Sequence, residues 1–240
     1  MRYAIISDVH ANLEALNNVL KKIEEETCDE LMFLGDSVGY GPNPNECIYR
    51  LKEKTKILLA GNHDMAAVGT ADIKHFNPYA RATVEWTQEI LSNENRSFLN
   101  GLPLTEEVDD SILLVHSTPK EPEKWHYLLN AGDADSNFSF FSKKICFVGH
   151  SHIPFIIEQA PGGNITIYKD RADIKKRHRY IINAGSVGQP RDSNPDAAYA
   201  LLNKNYVEIK RVTYDIVLTQ KKMRDAGLPS FLIERLSRGI

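Results

Sequence analysis

Five apolar runs in this chain each end in a short segment rich in aspartate, asparagine and histidine. The runs, at residues 3–6, 31–34, 57–60, 112–115 and 145–148, have the length and composition of buried strands. The segments that follow them are Asp8-Val9-His10, Gly35-Asp36, Gly61-Asn62-His63-Asp64, His116 and Gly149-His150-Ser151-His152. In an α/β sheet, the loops beyond the carboxyl ends of the strands gather along one edge, where ligands bind. We therefore expect these widely separated residues to converge.

Strands and helices alternate in the first half of the chain, whereas the second half is rich in strands. The first half has predicted strands at 2–7, 30–34 and 56–60, and predicted helices beginning after Asn12, near 45–53 and over roughly 76–92. Further strands are predicted at 111–116, 145–149, 153–158, 164–168, 179–184, 197–203 and 206–213, with hairpin turns at 161–164 and 203–205. Helices return near 215–225 and 229–237.

This order predicts an α/β fold in which two sheets pack face to face as a sandwich, with helices outside. No linker divides the sequence, so we expect one domain over residues 1–240. The segment near 65–100 is a candidate helical cap over the site, with His75 and Phe76 among its candidate contacts. The strand-rich second half offers a sheet edge through which a homodimer could form.

Composition and charge exclude several classes of protein. The chain has 240 residues, of which 42% are apolar and 25% charged, as in ordinary soluble domains. A net charge of −3 gives no reason to expect a membrane or specific nucleic-acid partner. One basic run, Lys175–Arg179, is interpreted as a solvated turn, with a local contact to an anion as the alternative. We find no signal peptide, and no apolar run approaches the ~18–20 residues of a membrane helix.

Cysteine usage favours a reducing compartment. The three cysteines, Cys28, Cys47 and Cys146, are odd in number and have no C-x-x-C spacing. A disulfide framework is therefore not expected, and the cytoplasm is the predicted location.

The polar segments have the chemistry of a metal centre. Asp8 and His10 stand two apart after a strand, where side chains of an extended segment point the same way. His150 and His152 repeat that spacing, and the carboxylate of Asp36 could bridge two ions. Alone, each motif has a simpler interpretation: Asp after a strand is often a helix cap, and a single histidine is often structural. Together, hard oxygens and imidazoles without cysteine suit a pair of divalent transition metals. The candidate ligands are Asp8, His10, Asp36, Asn62, His116, His150 and His152.

Four other residues are candidates for catalysis or substrate binding. His63 follows Asn62, so its ring could face a leaving oxygen as general acid or charge stabiliser, and Asp64 could orient it. The alternative is that His63 only shapes a turn. In the loop 185–191, backbone amides and Arg191 could bind phosphate, or the loop could simply be tight, with Arg191 in a surface ion pair. Tyr40 could stack on a base or pack its own loop down.

These motifs, in this order, resemble the full signature of the calcineurin-like metallophosphoesterases. Asp36-Ser37-Val38-Gly39-Tyr40-Gly41-Pro42 and Asn183-Ala184-Gly185-Ser186-Val187-Gly188-Gln189-Pro190-Arg191 resemble its small bacterial and archaeal phosphodiesterase branch. The resemblance runs from residue 1 past residue 213. It departs from the family pattern where Ser117-Thr118-Pro119 follows His116, since the family often has glycine there.

The resemblance implies a four-layer α/β/β/α sandwich and a binuclear metal centre. It implies a first ion on Asp8, His10, Asp36 and His152, and a second on Asp36, Asn62, His116 and His150. It also implies that His63 is the catalytic histidine, with Asp64 as its partner. Manganese is the first expectation for the ions, and the ligand set also suits iron, zinc, cobalt or nickel.

The resemblance leads us to expect a phosphoric ester hydrolase. Two ions ~3.5–4 Å apart can hold a hydroxide that attacks phosphorus in line. Small phosphodiesters, phosphomonoesters or nucleotides are the expected substrates. A dinucleoside polyphosphate hydrolase and a protein phosphatase share the same site chemistry, so the motifs do not separate them. In a different class, the same fold could serve as a non-catalytic scaffold. A nuclease is disfavoured because the chain lacks a broad basic groove.

Overall fold

A computed structural model describes residues 1–240 as twelve strands and eight α-helices. The strands are β1 (Tyr3–Ile6), β2 (Glu30–Phe33), β3 (Ile57–Leu58), β4 (Thr105–Val108), β5 (Ile112–Val115), β6 (Ile145–Val148), β7 (Phe155–Gln159), β8 (Ile165–Tyr168), β9 (Arg171–Asp173), β10 (Arg179–Asn183), β11 (Ala197–Leu202) and β12 (Tyr206–Val212). The helices are α1 (Leu13–Glu25), α2 (Pro44–Lys54), α3 (Asn62–Ala67), α4 (Pro78–Ile90), α5 (Asn93–Asn100), α6 (Ala131–Asn137), α7 (Ile216–Asp225) and α8 (Ser230–Arg235). Single 3-10 turns lie at Pro122–Lys124, Phe138–Phe140 and Leu236–Arg238.

The strands form two mixed sheets of six. The first has the order β3-β2-β1-β11-β12-β9 and the second β4-β5-β6-β10-β7-β8. β1, β2 and β3 run parallel, as do β5, β6 and β10, so the carboxyl ends of the strands that precede the polar segments lie together. The predicted hairpins are confirmed, because β7–β8 and β11–β12 are antiparallel neighbours.

Successive side chains along a strand point to opposite faces of its sheet. One set of apolar side chains therefore lies between the two sheets, and another lies beneath the helices. Ile5 belongs to a cluster of 18 buried residues that joins the two sheets, while its neighbours Ala4 and Ile6 pack under α1. In β6, Phe147 faces the first cluster and Cys146 faces the other side, towards α6. This period of two confirms the predicted sandwich of two sheets flanked by helices.

The structure contains elements that the sequence analysis missed. β4 and β9 are short edge strands, and β4 has the exposed burial pattern of its polar sequence TEEV, so neither shows an apolar run. The predicted helix over 76–92 ends at Ile90, and a separate helix, α5, starts after the cap residue Ser92. α3 and α6 were not predicted either, and both are only two turns or less.

The basic run is a turn, as the sequence analysis favoured. It carries the chain from β9 in the first sheet to β10 in the second. Lys175 and His178 both contact the buried carboxylate of Glu158, each at 2.8 Å. The three cysteines are free, as expected. None of the helices combines the length and the apolarity needed to cross a bilayer.

Candidate metal centre

The predicted ligands converge at the carboxyl edge of the two sheets. Ligand atoms of Asp8, His10 and His152 lie within 4.8 Å of one another, and so do those of Asp36, His116 and His150. The carboxylate of Asp36 stands between these groups, because its Oδ2 is 3.6 Å from Nε2 of His10 and 3.4 Å from Nε2 of His116. His10, Asp36 and His63 form a third such group, so the three groups adjoin one another through His10 and Asp36.

The convergence depends on left-handed backbone at the ligands themselves. Asp8 and His10 have φ values of 53° and 47°, and Asp36, His150 and His152 are also in this region. The expectation that Asp8 and His10 point the same way from an extended segment was therefore wrong: a turn brings them together. Non-glycine residues rarely adopt such φ values, and clusters of them mark functional sites. Gly61 is required nearby, since a Cβ there would lie 2.0 Å from Oδ1 of Asp36.

Each ligand histidine is oriented by a backbone carbonyl. Nδ1 of His10, His116 and His152 lies 2.7–3.1 Å from the carbonyl oxygens of Val38, Leu34 and Gln189 respectively. In His150 the contact is reversed, with Nε2 at 3.0 Å from the carbonyl oxygen of Trp125. A carbonyl can only accept, so these nitrogens carry hydrogen and the opposite nitrogen of each ring is left as a lone-pair donor. Metal-binding histidines usually have this second contact.

Buried polar atoms without partners show that this donor set fits metal ions. Asp8 Oδ1, Asn62 Oδ1 and His116 Nε2 are buried and make no hydrogen bond. Asp8 and Asp36 are 0% and 1% exposed, yet the only basic side chains within 4.0 Å of either are histidines. Buried carboxylates are normally paired with a cation or coordinate a metal. The unpaired atoms belong to residues that the sequence analysis predicted as ligands.

The histidines of the cluster differ in pKa, because burial lowers the pKa of most of them whereas neighbouring carboxylates raise that of His116. Burial alone would lower the pKa of His116, but Asp36 and Asp8 raise it to about 9. Burial, reinforced by the neighbouring His116, lowers the pKa of His150 to about 3.

His63 lies beside the predicted metal ligands, but Asp64 does not orient its ring. The carboxylate of Asp64 instead accepts hydrogen bonds from the backbone amides of Asp36, Ser37 and Gly61, at 2.8–3.0 Å, and from the Ser37 hydroxyl at 2.6 Å. Nδ1 of His63 is buried without a partner. The expectation of direct contact is therefore wrong, because the carboxylate is turned towards the loop that carries Asp36. The structure makes Asp64 an anchor for that ligand.

The loop 185–191 is a tight brace, with no free cradle of amides for an anion. The amides of Val187 and Gly188 donate to the carbonyls of Ser7 and Asp8, and that of Gln189 donates to the Ser186 hydroxyl. A Cβ at Gly188 would lie 1.9 Å from the Val9 carbonyl oxygen, so only glycine allows this approach. The anion-binding interpretation of these amides is thus wrong.

Arg191 and Tyr40 lie together at the edge of the cluster. The guanidinium of Arg191 donates to Oε1 of Gln189, makes no ion pair within 4.0 Å and is centred 5.5 Å from the Tyr40 ring. The alternative of a surface ion pair for Arg191 is therefore not observed. Tyr40 is 7% exposed and packs against the rings of His10 and His63 at 4.6 and 4.5 Å. Most of its ring is therefore covered, but it also lines the cavity beside this cluster, so stacking of Tyr40 on a base stays a prediction.

Comparison with known proteins agrees with this geometry. Residues 1–205 match the calcineurin-like phosphoesterase superfamily domain. The chain belongs to the calcineurin-like phosphoesterase superfamily. It is 39% identical to an uncharacterized protein of Methanocaldococcus jannaschii over 241 residues, which covers 98% of this chain and 97% of that protein.

Two further members of the superfamily are informative. The crystal structure of a metallophosphoesterase from Sphaerobacter thermophilus is 42% identical, with a TM-score of 0.88, and the match covers 100% of this chain and 99% of that one. Phosphodiesterase YfcE of Escherichia coli is 22% identical over 230 residues, covering 92% of this chain and 97% of that protein. The four-layer sandwich expected from the family resemblance is thus shared with a solved relative.

The sequence analysis missed two aromatic residues next to this calcineurin-like site. The Tyr127 ring stacks on His150 with 4.2 Å between ring centres, and the ring centres of Trp125 and His116 are 6.1 Å apart. The segment carries no periodic pattern, and only its position after the unusual Ser117-Thr118-Pro119 could have drawn attention to it. Phe76 is the residue of the candidate cap segment that reaches His63, with 5.0 Å between the two ring centres.

Proposed function

We propose that this protein is a binuclear metal-dependent phosphoesterase that hydrolyses small phosphate esters: diesters, monoesters or nucleotides. The observation that carries the proposal is the pair of buried carboxylates, Asp8 and Asp36, that face imidazoles with no lysine or arginine to neutralise them. Membership of the superfamily supports it, as does the name of the E. coli relative, a phosphodiesterase.

The ligands divide into two proposed sets that share Asp36. Asp8, His10, Asp36 and His152 would hold the first ion, and Asp36, Asn62, His116 and His150 the second. Bound divalent ions supply Lewis-acid charge for phosphate oxygens and generate a nucleophile from water near neutral pH. Manganese is the proposed metal, with iron, zinc, cobalt and nickel compatible with the same oxygen and imidazole donors.

His63 is the proposed general acid or charge stabiliser for the leaving oxygen. Its ring is within 4.9 Å of the His10 ring and is 4% exposed, so it can reach a group held at the ligand cluster. Burial lowers its pKa to about 4, with Asp36 opposing and Arg191 reinforcing the shift. The free ring is therefore neutral at pH 7 and donates N–H as an imidazole. An anionic substrate alongside it would raise its pKa and favour the protonated form.

A further side chain, that of Arg191, would position the ester. Arg191, with no carboxylate partner, can direct its free N–H groups at a phosphate oxygen. Cytoplasmic location and homodimer formation stay predictions. For the dimer, β8 is an edge strand whose Ile167 is 55% exposed.

The decisive experiment combines metal content with a substrate panel. Protein loaded with manganese, or with each of the other metals, is assayed on a bis-aryl phosphate, an aryl monophosphate, cyclic nucleotides and dinucleoside polyphosphates. We expect about two ions per chain and turnover of at least one ester. Asp36→Asn should lose both, whereas Asp225→Asn, on the exposed face of α7, should lose neither. Two bound ions without turnover of any ester would favour the scaffold class.

A further inference from the structure

A cavity of about 380 Å³ opens beside the metal centre. Its lining includes four residues of the candidate site, Tyr40, Asn62, His63 and His150, and aromatic side chains from two distant segments of the chain. Phe76 comes from the segment that precedes α4, and Trp125 and Tyr127 come from the segment that follows the 3-10 turn at Pro122–Lys124. The volume falls in the range of small-molecule sites, and the mixture of aromatic and polar groups is typical of them.

The aromatic residues touch the site directly. Phe76 packs on the proposed acid His63, with 5.0 Å between ring centres, and Tyr127 is stacked on the proposed ligand His150 with an interplanar angle of 17°. Tyr127 is nevertheless 52% exposed, so much of its ring remains available to a ligand. A substrate group in the cavity would therefore lie next to the proton donor. In a phosphoester, the group next to the proton donor is the leaving group.

The segment that carries Trp125 is held in a strained and fixed conformation. Glu121 and Trp125, on either side of the 3-10 turn, have φ values of 49° and 56°. The hydroxyl of Ser117 donates to the Pro122 carbonyl, and the Trp125 carbonyl accepts from Nε2 of His150. Strain of this kind persists where the surroundings over-determine the backbone, and it is common at ligand-binding sites.

The departure from the family pattern contributes to this restraint. Besides the Ser117 contact, the hydroxyl of Thr118 donates to the Lys120 carbonyl at 2.9 Å, which fixes the start of the segment. Glycine after His116 would have no hydroxyl for the contact to Pro122. The unusual residues after the ligand histidine thus help to place the aromatic side chains.

We propose that this cavity, which we call the aromatic pocket, receives the leaving group of the substrate and selects leaving groups that carry a flat aromatic ring. The inference rests on the proposed function and adds the substrate class. A planar ring gains from stacking on aromatic side chains whether it is a nucleobase or a simple aryl group.

In the hydrolysis, water adds to phosphorus and the P–O bond to the leaving group breaks. The electron pair of that bond stays on the leaving oxygen, which takes a proton from His63. The attacking water releases one proton to solvent, and solvent returns one proton to the His63 ring.

The test compares two phosphodiesters that differ only in the leaving group. One releases a phenol and the other a fluorinated alcohol of matched acidity, so that intrinsic reactivity is equal. We expect the unaltered protein to favour the aryl ester by about tenfold or more in kcat/KM, as expected for one stacked ring. Phe76→Ala and Trp125→Ala should lose that preference, measured as the ratio of kcat/KM for the aryl ester to kcat/KM for the alkyl ester.

Two matched variants control for general disturbance. Tyr79→Ala removes an aromatic ring three residues from Phe76 that stacks on Phe231 outside the pocket. His126→Ala replaces the residue next to Trp125. The His126 side chain contacts Glu121 and does not line the pocket. Both should keep the aryl preference. If the controls lose the aryl preference as fully as Phe76→Ala and Trp125→Ala do, the assignment of the pocket is overturned.

A binding measurement makes the test independent of turnover. The chain has two tryptophans, so in Trp86→Phe the tryptophan fluorescence comes from Trp125 alone. Metal-loaded Trp86→Phe protein is titrated with adenosine, uridine, phenol and ribose. Quenching by the nucleosides identifies a nucleobase leaving group and quenching by phenol alone an aryl group, in each case weakened about tenfold by Phe76→Ala.

The failures of the two proposals can be told apart. Absence of turnover of every ester with every metal contradicts the proposed function. Equal turnover of the aryl and alkyl esters by the unaltered protein contradicts the aromatic pocket and leaves the phosphoesterase proposal intact. Trp125 fluorescence that ribose quenches as well as a nucleoside, or that no ring compound quenches, also contradicts the pocket.

Discussion

The imidazole of His63 lies against Gly39, where a Cβ would come 2.4 Å from Nδ1. Gly39 has a φ of +87°, so a side chain there would be strained even without the contact. The position of the proposed acid therefore depends on the absence of a side chain in the loop after Asp36. We expect Gly39→Ala to lower kcat at least tenfold while metal content, measured by elemental analysis, stays unchanged.

Gly69 provides the matched control for Gly39. Its φ is +81°, and nothing lies within 4 Å of a Cβ built on it. Gly69→Ala should therefore suffer the same backbone strain, about 1–2 kcal/mol, without displacing His63. Similar kcat values for the two variants would show that strain alone, and not displacement of the ring, limits activity.

Replacement of His63 itself separates catalysis from metal binding. His63→Ala should lower kcat by about 10²–10⁴-fold, the range for loss of a general acid. Metal content should remain near that of the unaltered protein, because the ring is proposed as a proton donor. His126→Ala, on an exposed histidine, is the control. Loss of metal from His63→Ala would instead identify the ring as a ligand.

Asp64 should matter for metal binding rather than for proton transfer. Asp64→Asn places an amide opposite the donors of residues 36–38 and breaks the anchor of Asp36. We expect loss of about 2–3 kcal/mol in the free energy of unfolding, as for hydrogen bonds to charged groups, together with weaker metal binding. The control is Asp133→Asn, whose carboxylate accepts from the Leu129 amide at the start of α6 and contacts none of the predicted ligands. Normal metal content with low kcat would restore the catalytic role.

Arg191 is expected to bind phosphate. Arg191→Ala should raise KM for the best ester about tenfold, since a bidentate guanidinium contact is lost. Arg191→Lys should not recover it, because an ammonium group cannot make the same forked contact. The measurement is steady-state kinetics on manganese-loaded protein. If neither KM nor kcat changes in Arg191→Ala, the side chain has no part in binding.

Glu158 should make stability depend on pH. Burial opposes ionisation of Glu158, but hydrogen bonds from Lys175 and His178 lower its pKa in the folded protein below the ordinary value. Its contribution is therefore complete above the pKa of the unfolded chain, about 4.3, and is lost as pH falls through the folded pKa. The difference in free energy of unfolding between the unaltered protein and Glu158→Gln should therefore stay constant above about pH 5 and shrink as the pH falls towards about 3.

Chemical denaturation across this pH range measures the effect of Glu158. Glu106→Gln, on the exposed edge strand β4, is the control and should differ little from the unaltered protein at any pH. A stability difference for Glu158→Gln that stays constant down to pH 3 would mean that the carboxylate and its basic partners are not coupled.

Much of the fold could be predicted because its signals are local. The buried strands β1, β2, β5 and β6 are continuous apolar runs, and Asn12 caps α1 as predicted, accepting from the Ala15 amide. The edge strand β9 exists because β12 pairs with it, so its three residues carry little signal of their own. α3 was missed although the Asp64 carboxylate accepts from the Gly61 amide, which is one half of a capping box that the Gly61–Asp64 spacing could have revealed.

The sequence by itself determined the donors: which aspartates, histidines and asparagine follow strands, and in what order. Only the tertiary structure decided which ring nitrogen each histidine presents, that Asp64 anchors Asp36, and that Phe76 and Trp125 line one cavity. The reason is physical. Strand propensity and side-chain chemistry belong to neighbouring residues, whereas the partners that orient a ring or build a pocket come from segments that meet only when the sheets have packed.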